Sequence, residues 1–403
     1  MSWFNDKIKR GLEGRKQSLE IVMSNISNDD KVIWMHAASL GEYEQGLPVL
    51  EKLKEKYPNH KVLVTFFSPS GYENVVKKNK EDILCYLPFD KKSTISEFVK
   101  AVHPEIFFTV KYDFWYHLLD ELKKQNAKVF VISALFYENQ VYFKTQGKWF
   151  VNELKKNVDW IFHQTEKSFS LAQKIGLKKG SVSGDTRFDR VKQIKNRDNF
   201  VEYISEFKGN DQLVVFGSSW DAEEKIALLI SRKLENFKII IAPHDLKRVQ
   251  HLKQTFPNAI IYSEIEKSQN CKTENETISQ LNDFTTSQIL IIDSIGLLSK
   301  LYSYADIAIV GGGFHDKGLH NILEAATFGV PIIFGNQYKK NPEADELIAQ
   351  NGGQSFAQEE LAANFVLELT RNSNLLKEMS NNAEKFVHNQ PHSSEIILKK
   401  ILE

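Results

Sequence analysis

The sequence predicts an α/β protein made of two Rossmann-like domains with a cleft between them, on three observations. Short apolar runs alternate with helical patterns along most of the 403 residues, as in a doubly wound parallel sheet. The alternation occurs twice, in halves of similar length, with a charged stretch between them. Turns rich in glycine, serine and carboxylates follow several of the runs, at the strand ends where such sheets bind ligands. The length itself asks for more than one hydrophobic core.

Composition narrows the function classes. Lys plus Arg and Asp plus Glu are both 52, so the formal net charge is zero. That argues against a general nucleic-acid binder, which would be strongly basic. A hydrophobic fraction of 42% with 26% charged residues is ordinary for a soluble globular chain. The two cysteines, Cys85 and Cys271, lack metal-type spacing and fit a reducing compartment. No apolar run approaches the ~20 residues that span a bilayer. The N-terminus "MSWFNDKIKRGLEGRKQSLE" has no apolar signal-peptide core. It carries Lys7, Lys9, Arg10, Arg15 and Lys16 against Glu13. As a helix it could lie on an anionic membrane surface, or simply be a solvated first helix.

The first series of strand candidates is "VIW" from Val32, "KVLVTFF" from Lys61, "DILCYLPF" from Asp82, "EIFFTV" from Glu105, "AKVFVISAL" from Ala127 and "DWIFHQ" from Asp159. After the first comes "HAASLGEYEQG", a strand-to-helix turn. Leu47, Leu50 and Leu53 share one face of the helix beyond it. Ser39 can cap that helix, and Glu42 can complement its dipole. Gly41 keeps the turn free of a side chain, so Glu42 could equally present a carboxylate to a ligand.

A charged stretch over 185–211 interrupts the series. The second series is "QLVVFGS" from Gln212, "FKIIIAP" from Phe237, "NAIIYS" from Asn258, "QILIID" from Gln288, "DIAIVGG" from Asp306 and "VPIIFG" from Val330. The polar segment 266–287 reads as a surface loop or short helix.

The densest chemical signal is "GGGFHDKGLHNILEAATFGVPIIFG", Gly311 to Gly335. Glycines such as Gly312 and Gly313 permit close backbone approach to a ligand. A helix starting at Asn321 would offer free N–H groups to a phosphate. Glu324, one turn in, is placed for sugar or ribose hydroxyls. The competing reading is a tight turn followed by a solvated first-turn acid. Three further turns point to the same sheet end: "GSSWDAEE", "APHDLKR" with Pro243, His244, Lys247 and Arg248, and "DSIGLLSK" with Ser294 and Gly296.

Taken together, "HAASLGEYEQGLPVLEKL", "TFFSPSGYE", "LPFD", "SGDTRFDRV", "GSSWDAEE" and the glycine-rich block resemble the family of 3-deoxy-D-manno-octulosonic acid (Kdo) transferases of lipopolysaccharide biosynthesis. The matching blocks keep their order from Trp34 to Gly335. The resemblance implies a GT-B glycosyltransferase fold with the two parallel sheets facing the central cleft. It also implies CMP-Kdo as donor and a lipid A precursor as acceptor, at the cytoplasmic side of the cell inner membrane. It makes Glu42 the general base, with Ser39 and Gly41 beside it. It makes Arg187 of "SGDTRFD" the cation that steadies developing charge, in place of the usual lysine. The CMP side would be formed by Pro243–His244, by Gly296–Leu297–Leu298 and by Asn321–Ile322–Leu323–Glu324.

Some positions depart from the family pattern. "KYDFWY", Lys111 to Tyr116, stands where the family has "ETELWP", so Lys111 replaces one acid and Asp113 shortens another; Asp113 is expected to be catalytic with Glu42 and Arg187. Leu297 replaces an acid near the cytidine. The family usually opens with a membrane-spanning helix, so this sequence is expected to be a truncated form or one that relies on its basic start. The domain expectation is an acceptor domain over 1–185, a linker over 186–211, a donor domain over 212–357, and C-terminal helices over 358–403 packing back on the first domain.

The expected chemistry is base-assisted attack of a sugar hydroxyl with inversion at the anomeric carbon. Charge on the departing CMP would be met by Arg187, Lys247, Arg248 and the Asn321 helix start. Without an Asp-x-Asp at a strand end or a Cys/His cluster, neither an essential metal nor a cofactor is expected. The alternatives are another GT-B nucleotide-sugar transferase or epimerase, and a sugar-binding protein without catalysis.

Overall fold

The computed structural model describes residues 2–79, 82–233, 237–269, 286–316, 318–339 and 341–403. Cys271, most of the polar segment 266–287 and the side chain of Lys7 lie outside the described residues. The chain divides into two compact units, 1–190 with 391–403, and 191–390.

The first unit is a seven-stranded sheet. Its strands are β1 (Val32–Ala37), β2 (Lys61–Phe66), β3 (Ile83–Tyr86), β4 (Ile106–Val110), β5 (Lys128–Ala134), β6 (Trp160–His163) and β7 (Gly180–Val182). The order is β3-β2-β1-β4-β5-β6-β7, and every pair is parallel. Side chains alternate across the sheet, so one strand feeds two cores. Trp34, Leu63, Phe107 and Val129 pack with Phe98 and Leu122 of the helices on one face. Ile33, Met35, Val64 and Phe108 pack with Val49, Leu50 and Leu53 of the Leu40–Lys56 helix on the other.

The second unit repeats the plan with β8 (Gln212–Ser219), β9 (Phe237–Pro243), β10 (Ile260–Ile261), β11 (Ile289–Ile291), β12 (Ile307–Val310), β13 (Ile332–Gly335) and β14 (Gly353–Phe356). Its order is β10-β11-β9-β8-β12-β13-β14, again parallel throughout. Val214, Phe216, Ile239, Ile241 and Ile309 pack against Ile226 and Ile230 of the Asp221–Ser231 helix and against Val366 of the Glu359–Arg371 helix.

Twelve of the strands coincide with the apolar runs read from the sequence. The other two, β7 and β14, are edge strands of three and four residues, "GSV" and "GQSF". Over 186–211, where a linker was expected, the chain forms the helices Thr186–Asn196 and Ile204–Lys208. The division between units falls inside the first of these, and Ile204 and Phe207 are buried in the second unit. The C-terminal helices also divide. Glu359–Arg371 and Ser373–His388 belong to the second unit, because Ala362, Val366 and Met379 complete its core. The Ser393–Leu402 helix alone lies in the first unit. There Ile397 and Ile401 pack in the core, and Ser394 N–H donates to Asp189 at 2.7 Å. Among the described residues no helix is long and apolar enough to cross a membrane.

One close approach fixes the glycine-rich block in place. A Cβ on Gly335 would lie 2.1 Å from the Gly313 carbonyl carbon, and one on Gly313 would lie 2.6 Å from the Gly335 oxygen. Both walls are backbone, so neither side can yield cheaply. Gly335→Ala should therefore lower unfolding free energy by roughly 1–3 kcal/mol. Urea denaturation of the purified chain checks this; an unchanged midpoint would mean that β13 and the loop are not pressed together.

Candidate active site

In both sheets the strand order reverses once, between β1 and β4 and between β8 and β12. Loops leaving neighbouring strands at such a point diverge and open a crevice beyond the carboxyl ends. The loops after β1 and β4 carry Glu42 and Asp113. Those after β8 and β12 carry Trp220 to Glu224 and Gly311 to Gly313.

In the first unit Ser39 is the N-cap of the Leu40–Lys56 helix. Its oxygen accepts from the Glu42 N–H at 3.4 Å, and its hydroxyl donates to Glu42 Oε2 at 3.0 Å. These two contacts hold the Glu42 side chain back over the first turn. Among the described residues no cation is paired with it. Nothing lies within 4 Å of where a Cβ on Gly41 would be, so the turn is open on that side.

Asp113 approaches from the β4 loop. Lys111 turns this loop in the left-handed region at φ 63, its N–H held by the Ile132 carbonyl at 2.9 Å. Thr109 Oγ1 then donates to the Asp113 carbonyl at 3.3 Å. Asp113 Oδ2 lies 2.7 Å from Nε2 of His36, a fully buried residue on β1. The Tyr112 hydroxyl is pushed above its ordinary value by burial first, then by the carboxylates of Glu42 and Asp113. Both carboxylates thus act on the same phenol. Tyr142 is pushed up to about 12 by burial, then by Asp113 and Tyr112.

Arg187 does not offer a free charge. It donates to Asp185 from Nε at 2.8 Å and pairs through Nη2 at 2.7 Å. Gln45 Nε2 donates to the other Asp185 oxygen at 2.7 Å. Burial raises the Asp185 pKa, but Arg187 and these donors outweigh it, and the carboxyl lies below its usual range. The guanidinium is therefore oriented by a buried anion, with its side chain still 22% exposed.

In the second unit the glycine loop folds onto itself. Gly312 has φ 93, and a Cβ there would meet the Gly318 oxygen at 2.2 Å. Its N–H donates to Glu223 Oε1 at 3.2 Å, while Trp220 N–H donates to Oε2 at 2.9 Å. Glu223 thus ties the β8 loop to the β12 loop. Burial pushes its pKa up to about 7 despite these donors. Beside it, Trp220 stacks on His244 with centroids 4.3 Å apart, and His244 lies 4.8 Å from His320. His315 meets the Trp220 edge at 4.9 Å. His320 is lowered to about 4 by burial, then by His244 and His315.

Asn321 and Glu324 are together but do not open a long helix. The helix is one turn, Leu323–Ala326, stopped at Gly329 with φ 72 ahead of Pro331. Asn321 Oδ1 accepts from Leu323 N–H at 3.1 Å, and its amide donates to Glu324 Oε1 at 3.1 Å. So short a helix has little dipole to offer a phosphate. Ile322 and Leu323 are fully buried, which leaves only their backbone for a ligand. Gly296 turns the β11 loop at φ 97 ahead of Leu297 and Leu298, and the buried Ser294 hydroxyl there has no partner among the described residues. Pro243 ends β9.

Arg248 is held by Glu224, with Nε to Oε1 at 2.8 Å and Nη2 to Oε2 at 2.6 Å, and also by Asp221. Its charge is already matched. Asp221, Glu224 and His251 bring ligand atoms within 4.8 Å of one another, but Arg248 compensates both carboxylates. In the N-terminal helix Lys9 and Lys16 are exposed, Arg10 pairs with Glu73, and Arg15 stacks over Phe67 and Phe89.

Sequence reading named His244 but missed His36, Tyr112, Glu223 and the gathering of Trp220, His315 and His320 around His244. His36 sits in the opening motif, but a histidine in an apolar strand carries no sign of its partner 77 residues away.

Two parallel sheets of this order define a GT-B fold. A solved UDP-GlcNAc 2-epimerase from Neisseria meningitidis has the same fold, with a TM-score of 0.60 at 15% identity over 92% of this chain and 99% of that one. The family model of 3-deoxy-D-manno-octulosonic-acid transferase (kdotransferase) matches residues 13–190, so the first unit is similar to this family. A 3-deoxy-D-manno-octulosonic acid transferase from Rickettsia felis is 29% identical over 89% of this chain and 76% of its own length. A bifunctional glycosyltransferase/methyltransferase from Fusobacterium nucleatum is 26% identical over 78% of this chain, which spans 48% of that protein.

The Glu223 contacts give a pH prediction. Its folded pKa is raised from 4.5 to about 7, so its contribution to stability is present below 4.5 and lost as pH rises through about 7. Unfolding free energy should fall over that window by up to roughly 3 kcal/mol from this group. In Glu223→Gln this part of the slope should vanish. Denaturation curves across the window read it; identical slopes would place the titration elsewhere.

Proposed function

We propose that the protein transfers Kdo from CMP-Kdo to a lipid A precursor of the lipid IVA type in lipopolysaccharide biosynthesis. The first unit takes the acceptor and the second takes the donor. The observation that carries this reading is Glu42. It is a cation-free carboxylate braced by Ser39 at the switch point of the unit that matches the family model.

In this reading Glu42 removes the proton of the acceptor hydroxyl as its oxygen bonds to the anomeric carbon of Kdo. The bond from that carbon to the CMP phosphate oxygen breaks, and CMP leaves with the electron pair. Attack opposite the leaving group inverts the centre. Asp113 and Tyr112 orient the acceptor. Arg187, steadied by Asp185, meets developing negative charge. In the donor unit Asn321 and Glu324 hold CMP, with the loop at Gly312 and Gly313 beside them. Pro243–His244 and Gly296 to Leu298 provide the remaining donor contacts. Side chains supply these roles, so transfer proceeds without a metal ion. The lipid acceptor sets the site of action at the cytoplasmic side of the inner membrane, with exposed Lys9 and Lys16 drawn to anionic lipid.

Glu42→Gln keeps size and hydrogen bonding. It should reduce kcat by ~10²–10⁴-fold with normal folding. The assay uses CMP-Kdo made in situ and tetra-acylated lipid A precursor, with product mass as readout and a parallel reaction in chelator. Near wild-type turnover would move the base elsewhere.

Glu324→Ala should weaken CMP binding by ~1–3 kcal/mol by calorimetry, because its hydrogen-bond partners would be left unpaired. Tighter binding of UDP than CMP by the wild-type chain would favour another nucleotide-sugar enzyme of the same fold.

A further inference from the structure

We propose that His36 is the positioning residue for Asp113, held in one neutral tautomer by a hydrogen-bond chain that begins at Trp34. The catalytic part of this inference rests on the acceptor role given to Asp113 above. The tautomer part does not.

The chain of bonds follows from strand register. Trp34 and His36 are two apart on β1, so their side chains share one face of the sheet. Thr65 on β2 is the register partner of His36. Trp34 Nε1 lies 2.8 Å from Thr65 Oγ1. An indole N–H can only donate, so the threonine oxygen accepts from it. The hydroxyl keeps one hydrogen to give, and His36 Nδ1 lies 2.9 Å away. Nδ1 is then the accepting nitrogen, and the ring proton sits on Nε2, facing Asp113 Oδ2 at 2.7 Å. Every donor meets an acceptor, and Asp113 is the only charged member.

The opposite tautomer would turn Nδ1–H to the Thr65 carbonyl at 3.1 Å. It would also aim the Nε2 lone pair at a carboxylate. Two acceptors would then face each other at a site where His36 is fully buried.

The chain is closed at one end and open at the other. Trp34, Thr65 and His36 are fully buried. The Asp113 side chain is 21% exposed. One carboxylate oxygen is fixed by His36, and among the described residues Oδ1 has no hydrogen-bond partner. That oxygen remains for a hydroxyl of the acceptor. Asp113 stands in a loop that leaves β4 through a left-handed lysine. His36, on a central strand, gives this loop acid the precision of the sheet.

The test uses the full chain labelled with 15N in its histidine rings. Long-range 1H–15N correlation at neutral pH should show one ring with unprotonated Nδ1 and protonated Nε2, absent from His36→Gln. Thr65→Val, which touches no substrate, should abolish that pattern. A wild-type ring protonated on Nδ1, or a pattern that survives Thr65→Val, would overturn the proposal without any transfer assay.

Kinetics supply the second arm. His36→Leu should raise the acceptor KM at least tenfold and leave the donor KM unchanged. His36→Gln, whose amide N–H can reach the same carboxylate, should recover most of that loss. Equal losses in both variants, at matched melting temperatures, would make His36 merely structural. If wild type transfers no Kdo, the functional reading fails while the tautomer result still stands.

Discussion

Everything in each unit depends on seven strands running the same way. Parallel pairing sends every strand-to-helix loop out at one edge, where backbone groups are no longer satisfied by the sheet. The reversal of strand order then separates two of these loops. In the first unit they are the loops of Glu42 and Asp113, and in the second those of Glu223 and Gly312. Polar side chains fix these loops. Glu223 spans its pair through two backbone N–H groups. His36 reaches Asp113 from the strand beneath.

The fold was legible because burial on both faces leaves a strong mark. "KVLVTF" and "FKIIIAP" can hardly be other than central strands. β7 and β14 escaped because an edge strand needs apolar residues on fewer sides, and "GSV" and "GQSF" look like loop. The linker expectation over 186–211 rested on charge density. Yet Arg190 pairs with Glu44 at 2.7 Å and Lys195 with Glu384 at 2.7 Å, each within its own unit. Charge marks a solvated helix face as readily as a connector. Ser39 and Glu42 were legible because capping is local: three residues settle it. Asp113 was named as a candidate acid, but its pairing with His36 was not legible, because their meeting depends on strand register over long sequence separation.

Cations were the least legible part of the site. Arg187, Lys247, Arg248 and the Asn321 helix start all suggested positive charge for a phosphate. Two of the four are committed to carboxylates, Arg187 to Asp185 and Arg248 to Glu224 and Asp221. These commitments differ in effect. Asp185 is buried and further bound by Gln45, so it orients Arg187 while the guanidinium keeps an exposed side. Glu224 takes both Nε and Nη2 of Arg248, the bidentate geometry that leaves least of the fork for another anion. A sequence lists charges, but which of them remain to act on a ligand is decided by neighbours such as these.

Three of the seven positive-φ non-glycine residues among the described residues lie at strand carboxyl ends. Lys111, Ser133 and Ser218 are non-glycine residues with positive φ, at 63, 50 and 53 degrees. Lys111 follows β4, Ser133 lies near the end of β5 and Ser218 near the end of β8. Each left-handed residue costs of order 1–3 kcal/mol, so it persists only where the surroundings hold it. The holding groups are visible. The Ile132 carbonyl holds Lys111 N–H, and Thr186 Oγ1 meets Ser133 Oγ at 2.8 Å. At Ser218 the β8–β9 register shifts between Gly217 and Ser219, and His244 N–H donates to the Ser219 carbonyl. A sheet that only needed to be stable could relax these turns by placing glycine there. Here the chain bends sharply with side chains still attached, and in the first unit the bend at Lys111 is what brings Asp113 back over β1 to meet His36.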